Sequence, residues 1–230
     1  QAAGRAGFQL ERVEVKGVDR MESLTVYTIA TRDKSLAMPL VDLDRIRNEL
    51  MQYSWIADAR VSRRLPDTLV VDIVERKPAA IWQHNQKLSL VDEEGVVLEA
   101  VDPKSMPNLP LVIGEHANQQ VAGLDDLLSE VPALKPALTG ATWIGNRRWD
   151  LRFGSGEVLA LPEGPDIAAK ALQHFARVDG TKRLLGRGFV HFDMRDPSRM
   201  VVRLNRDITP ASKRDEKDTS KVKKSDVEQM

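Results

Sequence analysis

The sequence predicts an α+β protein with a small βααββ unit, followed by a mostly antiparallel β region that carries one or two helices. Three observations support this class. Short runs alternate apolar and polar residues, as half-buried strands do. Two stretches near the start have the spacing or capping of helices. The final 25 residues, 206–230, contain few large apolar side chains, which predicts a disordered tail.

The first strand and two helices are indicated between residues 8 and 50. Val13 and Val15 alternate with charged neighbours, which predicts a strand that stops at Gly17. Residues 20–32 are assigned to a first helix, although their β-branched side chains disfavour it. Asp42 can cap a second helix. The apolar residues of that helix lie on one face: Leu43, Ile46 and Leu50.

A hairpin completes the first unit in the stretch WIADARVSRRLPDTLVVDIVERKPAAIW, residues 55–82. Pro66 presets the first corner of a turn, and Asp67 suits the next position. The two flanking strands carry alternating apolar residues: Ala57, Ala59 and Val61, then Leu69, Val71 and Ile73. The expected product is a three-stranded sheet with both helices on one face.

The second unit, from Pro78 to Leu204, consists mostly of strands joined by turns. Three hairpins are predicted, with turns at residues 92–95, 154–156 and 196–198, where Gly, Pro, Asp and Ser collect. Two helical stretches interrupt the strands. One lies near residues 124–129, and a clearer one, at 166–178, has an apolar stripe.

Composition excludes several classes of protein. Thirty-four basic residues balance 34 acidic ones, so net charge gives no reason to expect a nucleic-acid partner. The chain lacks cysteine, which excludes disulfides and thiolate chemistry. It also lacks an apolar run long enough to span a bilayer. The opening at Gln1 suggests a piece of a longer protein, so that an upstream membrane anchor is possible.

No group of residues indicates catalysis or a bound cofactor. His191 and Asp193 share one side of a strand, but a metal site needs a third ligand, and a polar outer strand face explains them more simply. Ser155 between two glycines is typical of a hairpin turn and lacks the context of a catalytic nucleophile. The pairs Arg63–Arg64 and Arg147–Arg148 are either anion or partner sites or ordinary charged strand ends. The sequence therefore predicts a non-enzymatic protein without a metal.

One long phrase that includes residues 55–82, followed by four later phrases in order, resembles the FtsQ/DivIB family of bacterial division proteins. The first unit resembles the family's POTRA domain in Trp55-Ile56, in the hairpin from Val61 to Leu69, and in the exit from Glu75 to Trp82. The second unit resembles the family's β domain in LVDEEGVVL, LPLVIG, RRWDLRFGSGEVLALPE and FVHFDMRDPSRMVVRL. The resemblance covers residues 8 to about 205.

The resemblance implies the periplasmic part of an inner-membrane protein with one N-terminal membrane helix, concentrated at the division septum. Its expected divisions are a linker (1–7), a POTRA domain (8–77), a β domain (78–205) and a tail (206–230). The family is a non-enzymatic scaffold that binds FtsB and FtsL and links early division proteins to septal wall synthesis. Its POTRA domain contacts other divisome membrane proteins. The alternative considered is a POTRA-containing factor for outer-membrane protein assembly or secretion.

The resemblance also places the FtsB contact, where a partner strand adds to the sheet edge near the C-terminal end. Treated as that edge, the strand at 189–195 offers free backbone groups as a template. Its expected contact residues are Phe189, Val190, His191, Phe192, Asp193, Met194 and Arg195. The sequence alternates, with Val190, Phe192 and Met194 expected on one face and the others on the opposite face. Arg147 or Arg148 is expected to meet an acidic partner residue.

Overall fold

The computed structural model describes residues 9–32 and 37–204, which form two units built on separate β-sheets. The expected linker at 1–7 and the expected disordered tail at 206–230 lie outside the described residues. Within the described ranges, no helix has both the length and the apolar character that crossing a membrane requires. The α+β class predicted from the sequence is confirmed.

The first unit contains three strands and two α-helices in the predicted order. Their bounds are β1 Arg12–Lys16, α1 Ser23–Ala30, α2 Leu43–Leu50, β2 Ile56–Arg64 and β3 Thr68–Glu75. Strand β3 is central, parallel to β1 and antiparallel to β2. Both helices contribute to the same core as the sheet, and the fully buried members include Val26, Ile46, Leu50, Leu69 and Val71.

Local signals and tertiary burial together explain the two helices. The carboxylate of Asp42 accepts the backbone N–H of Arg45 at 3.0 Å, which satisfies one of the free donors in the first turn of α2. Helix α1 has no side-chain cap, and its β-branched residues disfavour helix in isolation. Val26 and Ile29 are nevertheless buried, so burial of apolar surface stabilises α1 in spite of its composition.

The second unit is a nine-stranded sheet with two α-helices. Its elements are β4 Ala80–His84, β5 Lys87–Val91, β6 Val97–Ala100, β7 Leu111–Ile113, α3 Val121–Ser129, β8 Leu138–Ile144, β9 Arg148–Phe153, β10 Val158–Ala160, α4 Pro165–Lys182, β11 Phe189–Asp193 and β12 Val201–Leu204. The spatial order is β12-β11-β10-β9-β8-β7-β4-β5-β6. Most neighbours are antiparallel, but β10 and β11 are parallel, as are β4 and β7 and also β7 and β8.

The helices α3 and α4 cover one face of this sheet. Register places Ala141, Leu151, Leu159 and Phe192 side by side on neighbouring strands, and all four belong to the core that the helices share. Phe175 of α4 packs edge-on against Phe192, with ring centroids 5.0 Å apart. Helix α4 is the crossover that parallel pairing of β10 and β11 requires.

Two consecutive residues, Glu75 and Arg76, organise the joint between the two units. The Glu75 carboxylate accepts the backbone N–H groups of Asp19, Arg20 and Met21 at 2.8 to 3.1 Å. Burial raises the pKa of Glu75, but these three donors outweigh it and leave the pKa below its usual value. Arg76 turns the other way, toward the β5–β6 hairpin, where Nη1 lies 2.6 Å from a carboxylate oxygen of Asp92.

We expect Glu75→Gln to lower the free energy of unfolding by about 2 kcal/mol, because hydrogen bonds to a charged acceptor are strong. The neutral amide has one acceptor oxygen and turns its NH2 group toward backbone donors. Urea denaturation of the variant measures the loss. The matched control is Glu14→Gln, which breaks an exposed ion pair with Arg64 and is expected to cost less than about 1 kcal/mol. Equal losses in the two variants would contradict this role for Glu75.

Candidate partner-binding edge

The edge of the nine-stranded sheet at its C-terminal end is β12, not the strand expected from the sequence. Strand β11 pairs with β10 on one side and with β12 on the other. The expectation that residues 189–195 form the free edge is therefore wrong. The reason is the last hairpin, which folds β12 back against β11 and leaves β12 outermost among the strands of residues 9–32 and 37–204.

The side chains of β11 do not alternate strictly between the two faces of the sheet. The register shifts between Phe189 and His191. The Phe189 ring lies 5.4 Å from the Phe192 ring and packs against the core, whereas His191 and Asp193 remain on the opposite face. Met194 is buried in the same core, and Val190 is exposed. The bulge thus moves Phe189 to the helix-covered side.

Strand β12 exposes three apolar side chains. Val201 is 53 % exposed, Val202 39 % and Leu204 63 %. Val202 lies beside Phe192 on the helix-covered face, and Arg203 lies beside His191 on the open face. Among the described residues, no side chain hydrogen-bonds to the backbone of 201–204. The strand thus combines exposed apolar surface with unprotected backbone groups, the two features that favour strand addition.

The long edge strand of the first sheet is protected in a way that β12 is not. At β2, the Ala59 carbonyl accepts a hydrogen bond from Arg47 Nε at 2.9 Å. The backbone N–H of Ala59 donates to the Asp58 carboxylate at 2.9 Å, and that carboxylate also pairs with Arg47. Side chains thus occupy both backbone groups of Ala59, which reduces the capacity of this edge to pair with another chain.

A cluster of charged side chains lies near the β12 edge, on the open face of the large sheet, which the helices do not cover. Arg148 pairs with Asp150 on β9, and Arg195 pairs with Asp193 at 2.6 Å. Ala160 of β10 stands between the two carboxylates in the register. The hydrogen bonds from Arg195 are the main cause that lowers the pKa of Asp193 to about 2. Burial raises the pKa of Asp150, against the opposite influence of Arg148.

The structure thus brings together most of the site residues that the sequence suggests. His191, Asp193 and Arg195 share one end of the sheet with Arg148, and Asp150 is the member that sequence reasoning missed. A cavity of about 300 Å³ at this end is lined by Arg147, Arg148, Pro162, Glu163, Ile167, Arg195 and Pro197.

The two neighbouring arginines have different environments. Arg148 has only 14 % of its side chain exposed and is held by Asp150. Arg147 lies in the β8–β9 turn, is 63 % exposed, and pairs with Glu163 at 2.9 Å. Only Arg147 is therefore accessible to an incoming partner without displacement of a largely buried ion pair.

The other basic pair has structural contacts. Arg63 donates to the backbone carbonyls of Met38 and Val41, which ties β2 to the segment before α2. Arg64 pairs with Glu14 of β1 at 2.7 Å. These contacts favour the interpretation of Arg63–Arg64 as charged strand residues that support the first unit.

Two family models match this chain in succession. Residues 8–76 match the POTRA domain of FtsQ type, and residues 80–195 match the C-terminal part of cell division protein FtsQ/DivIB. The first matched region contains the first sheet, and the second contains the large sheet except β12, which lies beyond residue 195. They agree with the division family and not with the outer-membrane assembly factor considered as the alternative.

Relatives with similar sequences are named cell division protein FtsQ. The cell division protein FtsQ of Zymomonas mobilis is 54 % identical over 194 residues, which are 84 % of this chain and 61 % of the relative. The FtsQ of Novosphingobium aromaticivorans is 46 % identical over 216 residues, 93 % of this chain and 68 % of the relative. The chain thus spans about two thirds of these relatives or slightly less.

A solved structure is also similar, but more distantly. The major extracytoplasmic domain of DivIB from Geobacillus stearothermophilus matches 47 % of this chain and 95 % of that chain, with a TM-score of 0.33 and 19 % sequence identity. The assignment depends on the family models and the relatives, which are named for cell division and not for a catalysed reaction. The chain belongs to the FtsQ/DivIB family of cell division proteins.

Proposed function

We propose that this chain is the periplasmic part of a non-enzymatic divisome scaffold that binds FtsB and FtsL by strand addition to β12. The supporting observation is the edge itself: β12 is outermost, exposes Val201, Val202 and Leu204, and has no side chain bonded to its backbone within the described residues. The different chemistry of the two sheet faces at β12 specifies which side chains the partner strand must carry on each side.

An added strand would present its side chains alternately to two different surfaces. On the helix-covered face it would extend the apolar row that ends at Val202 beside Phe192. On the open face it would lie next to Arg203, with His191 and Asp193 one strand further in. We therefore propose a partner strand that alternates apolar and polar or acidic residues, with its apolar side toward α4.

The residues expected from the sequence keep a role in this proposal, though not as the template. Backbone pairing belongs to β12, while His191, Asp193 and Arg195 form the second row of the contact surface. Phe192 and Met194 support it from the core. Arg147 is the arginine assigned to an acidic partner residue, because it is the exposed member of its pair.

We propose that the two domains contact different partners in the cell. The β domain, 78–205, carries the FtsB contact, and the POTRA domain, 8–77, contacts other divisome membrane proteins. An N-terminal membrane helix outside this chain anchors the protein in the inner membrane, where it concentrates at the septum. Through these contacts it links early division proteins to septal wall synthesis.

Titration of this chain with the periplasmic C-terminal segment of its own FtsB, followed by residue-resolved NMR, tests the proposal. We expect the largest shifts at residues 201–204, with smaller shifts at 189–195 and near Arg147. Binding with shifts confined to the first sheet would contradict strand addition at β12. Absence of binding to FtsB alone and to FtsB with FtsL would contradict the partner assignment.

A charge reversal tests the assignment of Arg147. Arg147→Glu is expected to weaken FtsB binding about five- to tenfold and to reduce its dependence on salt, because an attractive charge pair becomes repulsive. Titration calorimetry at low and high salt measures both effects. Arg152→Glu is the matched control, because Arg152 is an exposed arginine of the same strand region. Equal weakening by both variants would indicate a general charge effect and remove Arg147 from the site.

A further inference from the structure

A cleft on the helix-covered face of the large sheet lies apart from the β12 edge. It has a volume of about 430 Å³ and lies between α3, the start of α4 and the β8–β9 hairpin. Strand β12 is three strands away from β9 in the sheet. The inference drawn from this cleft therefore does not depend on strand addition at β12.

Two tryptophans form the apolar wall of the cleft. Trp143 and Trp149 are cross-strand neighbours on β8 and β9, with ring centroids 4.9 Å apart and planes tilted by 54°. The indole N–H of Trp143 donates to Asn146 at 2.9 Å, so the polar edge of this ring is already satisfied. Trp143 therefore lines the cleft with aromatic surface, and its indole N–H needs no partner from a ligand.

Helix α3 leaves space in the cleft at a glycine. Gln120, Gly123, Leu127 and Glu130 line the cleft at helical spacing. A Cβ atom built on Gly123 would meet no atom within 4 Å. Glycine inside a helix is less favourable than alanine, and no neighbour in the described structure requires it here. The missing side chain keeps the cleft open between α3 and the tryptophans.

Within the described residues, the charges that line the cleft without an ion-pair partner are all negative. Three carboxylates line it, those of Asp126, Glu130 and Asp166. Among the described residues, Asp126 and Asp166 have no ion pair, and Glu130 accepts a hydrogen bond only from the neutral amide of Gln173. The two arginines that also line the cleft are already paired, Arg147 with Glu163 and Arg148 with Asp150.

We infer that this cleft binds an arginine side chain of a protein partner. A guanidinium is planar and weakly hydrated, so it stacks on a tryptophan face while its N–H groups reach carboxylates. The open position at Gly123 admits the side chain, the partly exposed Trp143 contacts its plane with the buried Trp149 behind it, and the carboxylates at the rim compensate its charge. The partner segment is thus basic, in contrast to the acidic residue proposed for Arg147.

The test uses a blocked Ala-Arg-Ala peptide and the four tryptophan indole N–H signals of the protein. We expect millimolar binding that shifts the signals of Trp143 and Trp149 and leaves those of Trp55 and Trp82 unchanged. Blocked Ala-Leu-Ala and Ala-Glu-Ala serve as controls. The arginine peptide is expected to bind about tenfold more tightly than the leucine peptide, since the cation adds its interaction with the aromatic ring and the rim carboxylates.

Two variants separate the cleft from the stability of the fold. Gly123→Leu fills the cleft and is expected to abolish the indole shifts, while its urea midpoint is not lowered because leucine favours helix. Ala122→Leu is the matched control on the adjacent exposed position of α3 and is expected to bind as the unchanged protein does. Asp126→Asn is expected to weaken binding of the arginine peptide alone.

Three outcomes would overturn the inference. They are equal affinity for the leucine and arginine peptides, unchanged arginine binding in Gly123→Leu, and absence of indole shifts at millimolar peptide. None of these outcomes concerns FtsB, so failure here and failure of the proposed strand addition can be told apart.

Discussion

Proline at the edge strand is expected to reduce FtsB affinity at least about tenfold without unfolding the protein. Val202→Pro and Arg203→Pro form the test pair. In an edge strand, neighbouring N–H groups point alternately toward β11 and toward the open side, so one of the two variants removes a donor that the partner needs. The other variant removes an N–H group that points toward β11 and therefore loses one hydrogen bond between β12 and β11. Calorimetry and circular dichroism measure affinity and folding.

Two further prolines provide the comparison for this experiment. Val97→Pro introduces a proline at an exposed position of β6, the opposite edge of the same sheet, and is expected to leave FtsB affinity unchanged. Phe192→Pro lies in β11, which is paired on both sides, and is expected to destabilise the fold by about 3 kcal/mol or more. If both β12 prolines are folded and bind FtsB within twofold, strand addition at β12 is contradicted.

Removal of the Arg76 side chain is expected to cost about 3 kcal/mol in the free energy of unfolding. Only 17 % of this side chain is exposed, and its partner Asp92 is 5 % exposed. Arg76→Ala leaves the Asp92 carboxylate buried without its ion partner, and that uncompensated charge is the main cost. Glu94, the second partner of Arg76, is 69 % exposed and contributes less. Urea denaturation measures the loss.

A double variant identifies the origin of that loss. Arg76→Met with Asp92→Asn removes both charges and is expected to be more stable than Arg76→Ala alone, because no buried charge remains unpaired. Arg12→Ala is the surface control, since 70 % of the Arg12 side chain is exposed beside Asp67, and it is expected to cost less than about 1 kcal/mol. A loss in Arg76→Ala no greater than in Arg12→Ala would contradict the buried-pair account.

Local sequence signals predicted most elements because each has a short-range cause. The Asp42 cap of α2, the apolar stripe of α4 and the alternation in β2 and β3 act within a few residues, and all four elements form. The sequence did not specify which strands neighbour each other in the large sheet. That order depends on crossovers such as α4 and on the three-residue strand β7, whose brevity gives little periodic signal.

The error at the candidate site has the same origin. Alternation identified β11 as a strand but could not show that β12 covers its outer side. One signal was available: the final hairpin joins 189–195 to the phrase RMVVRL, and the last strand of a terminal hairpin is often outermost. Asp150 and Gly123 were missed because nothing local distinguishes them. Their significance arises from the Arg148 pairing and from the tryptophans across the cleft.

The adjacency of Glu75 and Arg76 has a mechanical consequence. Arg20 donates its backbone N–H to Glu75, and its guanidinium lies 4.9 Å above the ring of Trp55. Trp55 in turn packs against the apolar cluster of the second sheet. A rotation of one unit against the other must therefore break the Arg76–Asp92 pair and the contact of Trp55 with that cluster, while Glu75 fixes residues 19–21 within the first unit. These crossing contacts oppose torque, so force applied to one unit reaches the other through Arg76 and Trp55 as well as through the connecting backbone.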